Sequence, residues 1–284
     1  MVKQTYTNWE VVFVDNQSTD ESANIAKQYP KLSYHMTPEP LSLGAARNFG
    51  LSKCHGDFIA FLDADDLWEP KKLSEQIALF NDLDVALVYT DTKSFNNAGD
   101  SKVLSESKRF PAGNAFGPLF VDYCLCMSSV MIRSSTLQSL PIKFNDKFNM
   151  IEEADLFLRI AYFNKVDFCP EVLTRWRVHS DSLTWTKFHL LAEETKEMIA
   201  SFKEEFPDFR VDYQDQIDLK EKWIKRNEVL GYWIAGNGEA ARSTVLKTRN
   251  MSLKLIAIYV LTIFPAKLLL PILSRFFGSV VTPS

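Results

Sequence analysis

Asp57-Phe58-Ile59-Ala60-Phe61-Leu62-Asp63-Ala64-Asp65-Asp66-Leu67-Trp68 is the stretch on which the reading of this chain turns. An apolar run from Phe58 to Leu62 meets three carboxylates within four positions. A short, continuous apolar run bounded by polar residues predicts a strand buried on both faces, as in a parallel sheet. Asp63, Asp65 and Asp66 then stand at its C-terminal end, where open α/β sheets bind ligands. Carboxylates this close raise one another's pKa, so the cluster persists best around a hard cation, and oxygen-only ligation suits Mg²⁺ or Mn²⁺. The plainer alternative is a solvated acidic turn before a helix, with Pro70 in its first turn and Leu73, Ile77 and Phe80 at helical spacing.

Upstream, Trp9 to Val14 is a second apolar run that ends in a carboxylate, Asp15. Ser18 and Glu21 are spaced as a capping box, which predicts a helix through about Tyr29. A short strand over Leu32–His35 follows, then a small-residue helix, Leu43 to Gly50, with Arg47 inside it. Downstream, Lys71–Leu79 reads as a helix and Val85–Asp91 as a strand. The alternation of strands and helices predicts a mostly parallel sheet covered on both faces. Thr92 to Asn114 is polar and reads as a surface loop with short strands, and Ser128–Arg133 as a further strand. Glu152 to Ala161 has an apolar helical stripe, an acidic first turn that the helix dipole favours, and Asp155 one turn before Arg159. Glu152 and Glu153 are candidates for acid–base work, against the plain alternative of that dipole effect.

Arg175-Trp176-Arg177-Val178-His179 is basic, and Arg177 with His179 could address a diphosphate and its metal. Beyond Thr186 the composition shifts to charged helices, over Leu190–Phe206, Tyr213–Leu230 and Gly238–Lys247. These divide the chain into 1–185 and a helical extension, 186–284. Leu253 to Phe264 is nearly all apolar but is broken by Pro265 and Lys267, short of the roughly twenty residues a membrane-spanning helix needs. With Arg242, Lys247, Arg249, Lys254 and Arg275 around it, this stretch suits a helix lying in a membrane interface. A buried core helix and a single span are the alternatives.

The 284 residues are 46% hydrophobic and 24% charged, an ordinary globular composition, with net charge −4. That balance argues against a nucleic-acid partner, which would call for a basic face. The four cysteines lack zinc-site spacing, because Cys124-Leu125-Cys126 has one residue between thiols and no second pair. Free thiols in a reducing cytosol are expected, and the polar Met1–Asn8 is not a secretory signal.

Taken together, these blocks resemble the inverting family 2 glycosyltransferases of the GT-A fold. The resemblance rests on Gln4 to Glu10, on Val14-Asp15-Asn16-Gln17-Ser18-Thr19-Asp20, and on Gly44-Ala45-Ala46-Arg47-Asn48-Phe49-Gly50. It continues through Asp63-Ala64-Asp65-Asp66, Glu152 to Arg159, and Arg177-Val178-His179 with Ser182. It implies a metal-dependent enzyme moving a sugar from a nucleotide-diphosphate sugar, UDP-linked by preference, to a glycan or lipid-linked hydroxyl. The setting would be cell-envelope polysaccharide synthesis at the inner face of the plasma membrane. Asp65 would be the principal ligand of Mg²⁺ or Mn²⁺, with Asp63, Asp66 and His179 beside it. Asp15, Asn16, Arg47, Asp63 and Arg177 would hold the nucleotide sugar, and Glu153, or Glu152 beside it, would be the base. In this family a first strand and helix precede the segment that matches Gln4. Without them the edges of neighbouring strands would be open, and the expectation is weak or absent activity for this polypeptide alone. The rival readings are an inert nucleotide-binding relative and a haloacid dehalogenase-like phosphatase; the second is disfavoured by Leu67 where those enzymes place Thr or Val.

Overall fold

Branched and aromatic residues in Val11–Asp15 (β1) and Leu32–Met36 (β2) suit a pleated strand, and the two pair in parallel from Val11–Leu32 to Asp15–Met36. The helix between them, Ser22–Ala26 (α1), is shorter than the sequence predicts. The capping box does not form: the Ser18 amide donates to Asp15 Oδ1 at 2.7 Å, and the Ser22 amide instead finds Asp20 Oδ1 at 2.9 Å. The computed structural model describes residues 3–96, 99–106, 108, 110–179, 187–247, 253–266 and 268–269. It falls into two units, Met1–Arg177 and Val178–Ser284.

Leu43–Leu51 (α2) is capped by Ser42, whose side chain accepts from the Ala45 amide. Phe58–Ala60 (β3) leads into the acidic turn, and Leu67–Trp68 (β4) leaves it for Lys72–Leu79 (α3). Val85–Asn96 (β5) turns back as Gly99–Val103 (β6), so the predicted surface loop is largely a hairpin. Phe116–Val121 (α4), Val130–Arg133 (β7), Ser134–Ser139 (α5), Glu152–Phe163 (α6) and Lys165–Arg177 (β8) complete the first unit. The larger sheet runs β3-β7-β5-β8-β4, with β6 on β5.

This is an α/β fold, but its pairing is mixed rather than mostly parallel. β5 pairs with β8 in parallel, while β7 inserts antiparallel between β3 and β5, and β4 is antiparallel to β8. β3, β5 and β8 thus run the same way, as strand–helix alternation requires, and β7 runs against them. β3 is also not the strand buried on both faces that its apolar run predicts. Its three residues are half-buried, and among the described residues it ladders only with β7.

One core cluster of this unit packs α3 against β5 and β7, around Leu73, Phe80, Val85, Val88 and Met131. A polar strut runs through it. Gln76 donates to the backbone oxygens of Val88 and Ser129, both at 2.9 Å, and accepts from the buried Lys72 at 2.5 Å. The Lys72 ammonium also lies 4.1 Å from the Trp68 ring centroid.

In the second unit, Leu191–Glu205 (α7), Phe209–Asp212 (α8) and Gln214–Ile234 (α9) join through Phe202, Phe206 and Phe209. Gly238–Leu246 (α10) and Leu253–Leu261 (α11) follow, packed around Val229, Trp233, Ala241 and Val245. Among the described residues, no helix is long and apolar enough to cross a membrane.

Candidate active site

The stretch Gly44 to Gly50 works as a clasp, and each of its distinctive residues has a mechanical reason. A Cβ on Gly44 would stand 2.5 Å from the Asn145 carbonyl oxygen, so only glycine lets that loop close on α2. Asn48 then grips the loop backbone twice, donating to Phe144 O at 2.8 Å and accepting from the Phe144 amide at 3.1 Å. At the helix end, a Cβ on Gly50 would stand 2.8 Å from Val14 Cγ2, which sets the approach to β1.

The clasp aims Arg47 inward. Its guanidinium donates to Asp63 Oδ1 at 3.3 Å and to Glu152 Oε1, and lies 5.7 Å from the Phe144 ring centroid. Burial works against the Arg47 charge, but Asp63, Glu152 and Glu153 outweigh it and its pKa is raised. One arginine therefore joins the strand-end carboxylate to the first turn of α6. Glu152 is almost wholly buried, so the helix dipole alone does not account for it. Glu153, next to it and half-buried, has its pKa raised to about 8. Burial is the main cause; Arg47 opposes it, and Glu152, Asp63 and Asp66 add to it.

Ser128 organises the acidic turn, a role that its sequence context did not single out. Its hydroxyl accepts from the Asp63 amide at 3.0 Å, and its carbonyl accepts from Trp68 Nε1 at 2.7 Å. The turn closes when the Asp66 amide donates to Asp63 O at 3.1 Å. β8 reaches the other side of the turn: the Arg177 amide donates to Asp66 Oδ1 at 2.8 Å and its Nε to Asp65 O at 3.0 Å. Arg177 also lies 4.4 Å over the Phe95 ring. Asp66 Oδ2 is buried with no hydrogen-bond partner among the described residues. Burial is the chief reason that the Asp66 pKa rises to about 6, against the pull of Ser128 and the Arg177 amide.

Arg47, Asp63, Glu152 and Glu153 thus come together, and Asp65 and Asp66 meet Arg177. Asp15 and Asn16 do different work. Asp15 is buried, accepting from Tyr34 Oη at 2.6 Å and from the Ser18 amide; the tyrosine contact is the main cause of its lowered pKa. Asn16 braces the following loop, donating to Leu41 O at 2.9 Å and accepting from the Leu41 amide and the Thr37 hydroxyl. His179 is half-buried just past β8, and Ser182 lies outside the described residues. Among the described residues no three His, Cys, Asp or Glu side chains are gathered as a metal cage, so the expected set of Asp63, Asp65, Asp66 and His179 is not assembled as one. Arg47 engages Asp63 and the Arg177 amide engages Asp66 instead.

The strand-end acidic turn, the clasped arginine and the helix-borne carboxylate pair are thus set in a GT-A fold. Residues 1–139 match the model of Glycosyl transferase family 2. Over 194 residues the chain is 27% identical to an uncharacterized glycosyltransferase of Rickettsia typhi, covering 67% of this chain. The chain spans less than two thirds of that relative's length, 61%. It is also 27% identical, over 68% of this chain and 75% of the relative, to an Escherichia coli enzyme, WfgD. That enzyme is a UDP-Glc:alpha-D-GlcNAc-diphosphoundecaprenol beta-1,3-glucosyltransferase. In fold it is similar to the mannosyltransferase PcManGT of Pyrobaculum calidifontis in complex with GDP-Man and Mn2+. The TM-score is 0.61 at 17% identity, covering 98% of this chain and 76% of that one.

Proposed function

We propose that this chain is an inverting transferase that moves a sugar from a nucleotide-diphosphate donor, UDP-linked by preference, to a hydroxyl of a glycan or lipid-linked acceptor. The observation that carries this is the convergence of Asp63, Arg47, Glu152 and Glu153 at the strand end. In this reading the acceptor hydroxyl attacks the anomeric carbon on the face opposite the nucleoside diphosphate, in one displacement. Glu153 takes the hydroxyl proton as general base. Its burial supports that role, because a carboxylate with pKa near 8 holds the proton it receives better than an exposed one would. Glu152 keeps Arg47 in place, and Arg47 with Arg177 offers positive charge to the diphosphate.

Mg²⁺ or Mn²⁺ fits the donor chemistry of the turn. Asp66 Oδ2 is a buried carboxylate oxygen with no hydrogen-bond partner among the described residues, and Asp63 and Asp65 belong to the same turn. Asp65, Asp63 and Asp66 would hold the ion. When bound, such an ion stabilises negative charge on the departing diphosphate. A place in envelope-polysaccharide assembly, peripheral to the inner face of the plasma membrane, completes the reading, in keeping with the diphosphoundecaprenol-linked substrate that WfgD's name carries.

The test is release of nucleoside diphosphate from UDP-glucose, UDP-GlcNAc and GDP-mannose with Mn²⁺ or Mg²⁺ and an undecaprenyl-diphosphate sugar acceptor. Glu153→Gln should lower turnover by about 10²–10⁴-fold. The wild-type rate should climb with pH through about 8 and then level, because the base must be deprotonated. Nucleotide binding without turnover would leave an inert relative, and phosphate release from phosphomonoesters would replace the reading altogether.

A further inference from the structure

A surface helix ordinarily buries one apolar face and shows a polar one. α11 and the turn after it are apolar on both sides. Ile258, Tyr259, Leu261, Ala266 and Leu269 pack on the cluster around Val229 and Trp233. On the other side Ile256 and Val260, one turn apart on α11, and Ile263, Phe264 and Leu268 in the segment after it are 42–66% exposed. The helix cannot simply roll to hide them. Trp233 Nε1 donates to Phe264 O and Arg242 Nη1 to Thr262 O, both at 2.7 Å, and Thr262 is itself buried. α10 comes so close at this point that a Cβ on Gly238 would stand 2.9 Å from Thr262 O. The ridge is thus held outward by its own anchors.

Charge says what covers it. Residues 240–284 contain six Lys or Arg and no Asp or Glu, in a chain where acids outnumber bases by 36 to 32. A second copy seated on this ridge by a two-fold axis would bring two basic segments together, which like-charge repulsion opposes. Residues 270–284 continue the same composition, apolar with Arg275 and no acid. An anionic lipid surface offers both an apolar layer for the ridge and negative charge for its flanks.

We infer that the ridge of Ile256, Val260, Ile263, Phe264 and Leu268 docks this protein in-plane on anionic bilayers. This deepens the membrane-facing part of the reading above, yet its test needs no turnover, so either can fail without the other. The full chain is sedimented with vesicles of phosphatidylcholine alone or with phosphatidylglycerol added. Wild type should pellet in proportion to the phosphatidylglycerol fraction and be released by high salt. V260E/I263E should lower the bound fraction about tenfold or more. L83E, an exposed leucine elsewhere, should bind as wild type. If V260E/I263E loses its far-ultraviolet helical signal, V260S/I263S carries the same expectation. The inference falls if wild type stays in the supernatant, or if the ridge variants pellet undiminished. It falls equally if wild type is a dimer without vesicles and the ridge variants turn it monomeric, since a second copy then owns the face.

Discussion

Helices α6 and α9 each carry an ion pair about one turn apart, at nearly the same distance. Arg159 Nε is 3.0 Å from Asp155 Oδ2 on α6, and Lys225 Nζ is 3.2 Å from Glu228 Oε2 on α9. The surroundings differ. The α6 side chains are 3% and 0% exposed, the α9 side chains 35% and 22%. In the buried pair, desolvation has already been suffered by both charges, so deleting one removes compensation that water cannot replace. In the exposed pair, water and salt replace whatever is removed. Distance alone ranks the two alike; burial separates them, and the same contrast divides the acidic turn from the charged outer faces of the second unit.

The sharpest way to break this comparison is Arg159→Ala. It should cost about 3–5 kcal/mol, read as a lowered midpoint in chemical denaturation, and a cost below about 1 kcal/mol would mean that burial does not separate the two pairs. Gly44→Ala should come next, at about 1–3 kcal/mol or more, because its methyl meets backbone oxygen that cannot step aside. Gly50→Ala should cost less, since the atom it meets ends a valine side chain. The effect of Lys72 is instead spread over pH. Burial lowers its pKa from 10.5 to about 7, so between these values the unfolded chain binds a proton that the folded chain does not. Stability should therefore rise with pH across that window and be flat below it, and Lys72→Met should erase the slope. Lys225→Ala should be the smallest, within about 0.5 kcal/mol. A cost equal to that of Arg159→Ala would overturn the ranking.

Local pattern was enough for β1, β2, α3 and α6, because each keeps its apolar period over a whole element. It was not enough for β8, which the sequence analysis left unassigned. Pro170 argues against a strand there. The structure admits it through a shift in register: Cys169 faces Thr90 and Val172 faces Asp91, so Pro170 and Glu171 bulge out of the ladder. β3 misled in the other direction, since an apolar run says that burial is wanted and not from how many sides it comes. The capping box at Ser18 failed because Asp15, three residues earlier, takes the same amide. At the site, the residue types at Asp63, Arg47 and Glu152 were legible, but their joining was not. Arg47 and Glu152 are 105 residues apart in sequence, and no local period records such a contact. Ser128 was hidden for a similar reason. Its hydroxyl serves a backbone amide 65 residues away, and nothing in its neighbours announces that.

The Asn48 clasp reads only main chain. Both of its bonds end on the peptide groups of Phe144, so whatever side chains follow on Asn145, Asp146 and Lys147 are invisible to it. The loop can therefore change its chemical face without letting go of the helix that holds it. Substitutions at the exposed positions 146 and 147 should therefore leave folding untouched.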